Sequence, residues 1–312
     1  MSIDGGPRVQ QADAEASAPA VDRPAPARRA AANLETIVGQ PRKPRSTASR
    51  VLDKVGPFLV FGLFIAFWYF MAFVGIEKIL GKPKFFIPPP HDVVQDAFFN
   101  WDNLQPMLEA LWLSTKVALV GLLIAIVIGM ALAILMSQAK WVERSTYPYA
   151  VALQCLPILA FVPLLGLLFG YGINTRVVVV VMIALFPIIA STLFGLLSVD
   201  RSHHELFSLQ HAGRATRLWK LQLPAAMPSI FNGFRTSAGL AVIGAIVGDL
   251  FFQQGEKGIG ILIQSYTFRL QYRQMYGAVI LASLLGIVVF WAFGILRHLV
   301  VGRWYEDTRQ GD

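Results

Sequence analysis

Charge is scarce in this chain: 15% of its 312 residues are Asp, Glu, Lys or Arg, against about 25% in a soluble globular domain. With 55% apolar residues and a mean hydropathy of +0.55, the shortage excludes a protein whose whole surface faces water. Cysteine is almost absent. The lone Cys155 lies in an apolar run, which excludes a disulfide framework and any multi-cysteine zinc site. Residues 1–50 contain no Phe, Trp or Tyr, while Ala and Pro recur and Arg28, Arg29, Arg42, Lys43, Arg45 and Arg50 are scattered among them. Such a stretch buries too little apolar area to offset its ordering entropy, so 1–50 is expected to be a disordered cytosolic tail. It also lacks the apolar region of about 7 to 15 residues that a secretory signal requires. No His, Cys and carboxylate cluster sits near one end of the apolar runs, which argues against an integral-membrane enzyme.

Long apolar runs are what the chain has instead. Pro57 to Ile76 carries no charge over 20 residues, enough at about 1.5 Å per residue to cross a hydrocarbon core about 30 Å thick. Five more follow: Val117 to Met136, Pro148 to Gly170, Val177 to Leu197, Ser229 to Phe252 and Met275 to Leu296. The fifth differs, with Arg235 near its start and Asp249 near its end. Within a bilayer every backbone amide must be paired inside its own segment, so these runs are helices. The expected fold is all-α, a polytopic membrane protein with six transmembrane helices. Its parts are the tail, a first helix with an external Pro-rich connection over 51–112, a core of five helices over 113–300, and a cytosolic C-terminal tail over 301–312.

Sidedness follows from Lys and Arg close to the span ends. The side holding the tail carries fourteen, among them Lys140, Arg144, Arg201, Arg214, Arg217, Lys220 and Arg297, and the opposite side seven, among them Lys78, Arg176, Lys257 and Arg273. Both termini are therefore expected in the cytosol. The net charge of +8 marks orientation, and nucleic acid is not an expected partner.

Most connections are short, but the one from Ser198 to about Pro228 is too long for a turn. Asp200, Arg201 and Ser202 suit a helix start. Leu206 and Leu209 lie three apart with Phe207 beside them, and Gly213 ends that helix. A second short helix, Ala215 to Gln222, carries Leu218, Leu221 and Trp219, and Pro224 and Pro228 are expected to keep it from running into the fifth span. Two bent amphipathic helices with this much apolar surface imply a partner protein. His203 and His204 are adjacent and point to different faces, so they make no metal pair.

This loop resembles the cytoplasmic signature of the permease subunits of bacterial ATP-binding-cassette importers: Glu-Ala-Ala, three residues, Gly, nine residues, a large aliphatic residue, one residue, then Leu-Pro. Glu205 takes the Glu place, Leu221 the aliphatic place, and Leu223 and Pro224 the final pair, with each spacing kept. Leu206 and Phe207 replace the alanines and His211 replaces the Gly, while Gly213, two residues on, offers the same flexible bend. The resemblance runs from Lys84 to Trp304. Phe86, Ile87 and Pro88 to Pro90 are similar to the proline-rich segment of the nitrate, sulfonate, taurine and thiamine-precursor branch. Pro157, Pro163 and Pro187 are similar too, as are Gly233-Phe234-Arg235 and Gly248-Asp249 followed by Gly258 and Gly260.

The resemblance implies a homodimer of six-helix subunits in the bacterial inner membrane, whose loop docks on separate ATPase subunits and whose outer face receives a substrate-binding protein. The chain has no Gly, four residues, Gly-Lys-Ser/Thr phosphate loop, so no cofactor is expected on it; ATP and Mg²⁺ belong to the partner ATPase. The cargo class is a small organic or oxyanion nutrient, with a thiamine pyrimidine precursor, riboflavin, a sulfonate such as taurine, or nitrate all open.

Asp249 has two readings. A carboxylate in the bilayer costs on the order of 2.5 to 3.5 kcal/mol unless it faces protein or water, which makes it a pathway candidate; alternatively it caps the loop at Gln253 and Gln254 near the outer interface. Pro157, Pro163 and Pro187 free carbonyls that either kink their helices or face cargo, and the kink is the stronger reading. The glycine pairs Gly166 with Gly170 and Gly244 with Gly248 are read as close-packing sites. The rival function is an ion-coupled secondary carrier or channel without an ATPase, which needs several ionisable groups at the midplane where this sequence offers only Asp249.

Overall fold

A computed structural model of the chain describes residues 47–79, 81, 83–252 and 256–302, and among them every regular element is helical. Helix α1 is Thr47–Phe70, prolonged by a wider π-helical stretch, Met71–Ile79. Its start makes Thr47 to Arg50 helical rather than part of the tail. The remainder of the tail, and residues 303–312 with Trp304 and Tyr305, lie outside the described residues. The described residues up to Leu63 group as one unit and those from Phe64 as another. All that follows concerns the second.

The connection between α1 and the next span holds a short helix, α2, Pro90–Val94, extended by Gln95–Phe99. It is strapped down. The Trp68 indole N–H donates to the Pro88 carbonyl at 3.1 Å, and Arg273 donates to Asp92 at 2.9 Å and Asp96 at 3.1 Å. Trp68 also meets the ring of Tyr276.

Helix α3, Trp101–Gln138, is longer than its apolar run because Asn100 caps it, accepting from the Asp102 N–H at 3.1 Å. The third run is two helices, α4 (Lys140–Cys155) and α5 (Ile158–Phe169), bent by 104° at the break. Proline chemistry explains the break: Pro157 donates no N–H and drives Leu156 to an extended ψ of 131°. Helix α6, Ile173–Leu197, is continuous through Pro187. The loop supplies α7, Arg201–Leu209, and α8, Arg214–Arg217, followed by a π-helical turn, Leu218–Gln222, and then α9, Leu223–Phe251. A short apolar helix, α10 (Ile259–Phe268), precedes α11, Tyr272–Val301. Five stretches are long and apolar enough to cross a membrane, and the bent α4–α5 pair makes six.

The core lies between α3, α6 and α9, where Val117, Leu122, Val180, Ile188, Ile230, Ala241 and Ala245 are buried together. Lipid tails are as apolar as leucine, so close packing and interhelical hydrogen bonds must hold such helices together. Gly244 and Gly248 supply the approach, lying against the α6 backbone at Val180 and Arg176. The Ser237 hydroxyl adds a bond to the Ala184 carbonyl at 2.8 Å. The other glycine pair does not act this way: Gly166 meets Tyr171 and Phe252, while Gly170 ends α5 in the left-handed region at φ 82°.

Candidate functional site

In the 198–228 loop the apolar residues divide into two groups. Leu206, Leu209 (79% exposed) and Trp219 (70%) face outward and Phe207 is half-buried. Leu218 and Leu223 instead pack on the α3–α6–α9 core, and Leu221 is half-buried. Glu205 is exposed and pairs with Arg201 at 3.4 Å, a one-turn surface contact worth little in stability and therefore open to another partner. Asp200 stands at the start of α7, but its side chain makes no capping bond.

The bend after α7 is made by His211 and not by Gly213. His211 takes the left-handed conformation at φ 53°, whereas Gly213 is ordinary extended backbone at φ −66°. The turn is held by the Ala212 N–H on the Phe207 carbonyl and by the Arg217 Nε–H on the Ala212 carbonyl, each at 3.0 Å. Histidine tolerates the position glycine prefers because these bonds over-determine it.

Pro224 and Pro228 do not separate the second loop helix from the fifth span. Arg214 to Phe251 is one helical stretch of 38 residues. In the π-helical turn the Leu223 N–H reaches back to the Leu218 carbonyl. Pro224 then falls in the first turn of α9, where a missing N–H costs nothing, and Pro228 removes one bond without stopping the helix. The loop is thereby joined rigidly to the central helix of the core.

At the far end of α9 lies a buried ionic node. Asp249 is 0% exposed and Arg176, at the start of α6, is 2% exposed; Arg176 Nη1 donates to the carboxylate at 3.0 Å. The other carboxylate oxygen accepts from the Ser114 hydroxyl of α3 at 2.5 Å and from the Gly260 N–H at 3.5 Å. Ser114 itself accepts the Ile259 N–H at 2.9 Å, and Arg176 also donates to the carbonyls of Glu256 at 3.0 Å and Phe252 at 2.7 Å. One cluster ties α3, α6, α9 and the start of α10. Gly258 and Gly260 follow from the crowding: a Cβ at Gly258 would overlap the Asp249 carboxylate, and one at Gly260 the Ile246 carbonyl.

The sequence reading had named Asp249 without its partner. Arg176 had been counted among the external loop cations, because it precedes an apolar run as loop charges do. The available signal was the carboxylate itself, since a buried charge demands a counter-charge. Gln253 and Gln254 lie outside the described residues; the carboxylate's backbone partner is Gly260. Pro163 lies inside α5, and Pro187 lies inside α6 with its carbonyl against Gly233. Sequence reasoning also missed a hollow of about 540 Å³ between α4, α6 and α9, where the polar groups of Tyr147, Ser191, Ser229 and Asn232 stand beside Ala190, Phe194 and Pro228. Polar residues inside apolar spans were the signal.

Residues 125–304, which include the loop, the hollow and Asp249, match the family described as binding-protein-dependent transport system inner membrane component. The chain belongs to this family. The permease is 31% identical over 252 residues to the formylaminopyrimidine transport permease protein ThiX of Halalkalibacterium halodurans, covering 81% of this chain and 97% of that one. It is 30% identical over 246 residues to the riboflavin transport system permease protein RibX of Chloroflexus aurantiacus, covering 78% and 87%. The taurine transport system permease protein TauC of Escherichia coli is 26% identical over 184 residues, 58% of this chain and 66% of that one. A multi-pass inner-membrane location follows from the family together with the apolar helices.

Proposed function

We propose that the permease works as a homodimer that moves a small organic or oxyanion nutrient across the inner membrane, driven by separate ATPase subunits that grip α7 and supplied by an external binding protein. The single observation that carries this reading is an exposed apolar knuckle, Leu206 and Leu209 on α7 and, past the bend at His211, Trp219 on a helix that runs unbroken from Arg214 to Phe251. A push on the knuckle is passed along α9 to the core, because packed helices rock as bodies more readily than they deform. With the termini in the cytosol, the knuckle faces the ATPase and the ionic node faces outward.

The hollow lined by Tyr147, Ser191, Ser229 and Asn232 gives a polar cargo hydrogen-bonding groups on the α9 face next to α6. Asp249, with its oxygens occupied by Arg176, Ser114 and Gly260, then acts as an outer latch and not as a cargo ligand. The same occupancy removes the one carboxylate an ion-coupled carrier would use. The relatives named for formylaminopyrimidine, riboflavin and taurine support the cargo class and do not select within it.

The test is coupling in reconstituted vesicles containing the ATPase and binding protein. Glu205→Ala and Phe207→Arg should keep ATP hydrolysis while import falls roughly tenfold or more, the loss of one or two interface contacts. Import per ATP equal to the unmodified protein in both variants would refute the docking role.

A further inference from the structure

A second arginine stands on α9, on the side turned towards α11. Arg235 lies over the ring of Phe290, its guanidinium carbon 4.0 Å from the centroid, and its Nε is buried with no hydrogen-bond acceptor. Among the described residues no carboxylate pairs with it. It lines a hollow of about 380 Å³ with His298, Gly294 and Trp291. Trp291 also borders a groove of about 870 Å³ between α9 and α11, whose walls include Ile243, Ile246, Ile263, Val279 and Ile287. The two spaces share Trp291 as a wall.

Together the two spaces have one cation, Arg235, at one end and mostly aliphatic walls along the rest. From Gly294 to Val279 they follow α11 for about 22 Å, longer than the half-thickness of about 15 Å that one lipid leaflet contributes. The cationic end is at the end of α11 that carries His298, the membrane side on which the 198–228 loop lies. A water-soluble nutrient would find only Thr236 and Ser283 as polar wall groups in the larger space. A second copy seated there would bury Arg235 without a counter-charge unless it brought a carboxylate, at a cost of several kcal/mol.

We propose that the α9–α11 groove is a binding site for an anionic phospholipid of the leaflet on the loop side, with its phosphate on Arg235 and His298 and an acyl chain along Ile243, Ile246 and Val279. The phosphate supplies the acceptor the Arg235 Nε lacks, and the chain fills the apolar space beside the α9–α11 contact. The lipid thus braces α9, the helix into which the loop continues. The assignment of leaflet to the cytosolic side rests on the orientation proposed above; the site itself does not.

The full-length permease is placed in nanodiscs of phosphatidylcholine mixed with phosphatidylglycerol, and the lipid retained after extraction is counted by native mass spectrometry. The unmodified protein should retain phosphatidylglycerol over phosphatidylcholine, Arg235→Gln should lower that retention roughly tenfold, and Arg235→Lys should keep most of it. Gly286→Leu, which leaves the charge alone and projects into the groove, should also lower retention, so a poorly folding Arg235→Gln does not leave the matter open. Equal retention of the two lipids by the unmodified protein overturns the site, as does unchanged retention in Gly286→Leu. Binding of inorganic phosphate at Arg235 without phosphatidylglycerol preference overturns the lipid assignment. Disulfide cross-linking between copies through cysteines placed at Ile243 and Ile287 makes the groove an interface between copies and overturns it too.

Discussion

Arg176 and Arg235 are both cations among apolar helices, and they are solved in opposite ways. Arg176 has a carboxylate, two backbone carbonyls and a burial that leaves 2% of it exposed. Arg235 has an aromatic ring and a histidine nearby and, among the described residues, no carboxylate. A charge whose partners are built into the fold acts as a fastener; a charge whose partner is missing from the chain marks a place where something else binds. The difference follows from neighbours, since Arg176 meets α9 near its C-terminal end beside Asp249, whereas Arg235 looks away from the α6 contact into the groove along α11.

The comparison breaks most visibly by removing one half of the fastened pair. Arg176→Leu strands the Asp249 carboxylate and should cost about 3 to 5 kcal/mol, read as a fall in thermal unfolding temperature and in membrane yield; replacing Asp249 by Leu as well should recover much of it. If the single change left stability intact, the node would not be a latch. Crowding the same node is the next largest effect. Gly258→Ala puts a Cβ into the Asp249 carboxylate and should cost about 1 to 3 kcal/mol as the start of α10 shifts, detectable by faster amide exchange over residues 256–262. Smallest is the change at the other arginine. Arg235→Met, assayed in detergent without anionic lipid, should alter stability by no more than about 0.5 kcal/mol, because it strands no partner. A loss as large as that of Arg176→Leu would mean that the two arginines are not different in kind.

Much of the architecture was legible from local chemistry. Six apolar runs mark the spans because a bilayer admits little else, and the break at Pro157 follows from a proline that disfavours helix at the residue before it. Spacing put Leu206 and Leu209 on one face, but it did not separate Trp219, which faces outward, from Leu218, which packs on the core. Other features escaped the same reasoning. Pro224 looked like a barrier, but a π-helical turn just before it moves the hydrogen-bond register so that its missing N–H is not needed. Gly213 looked like the bend, but the strain fell on His211 because backbone bonds around Ala212 fix the turn there. Arg176 looked like a loop charge, since nothing within a few residues of it reveals a carboxylate 73 positions away.

Composition, run length and the loop spacing were enough to establish a helical inner-membrane permease of this family, because solvation by lipid and family signatures both act on contiguous residues. Which cations are fastened and which are free, which glycines must stay bare, and which face of α9 is polar were decided only when α3, α6, α9 and α11 came together. Those properties depend on distances between residues far apart in the chain, and such distances exist only in the folded molecule.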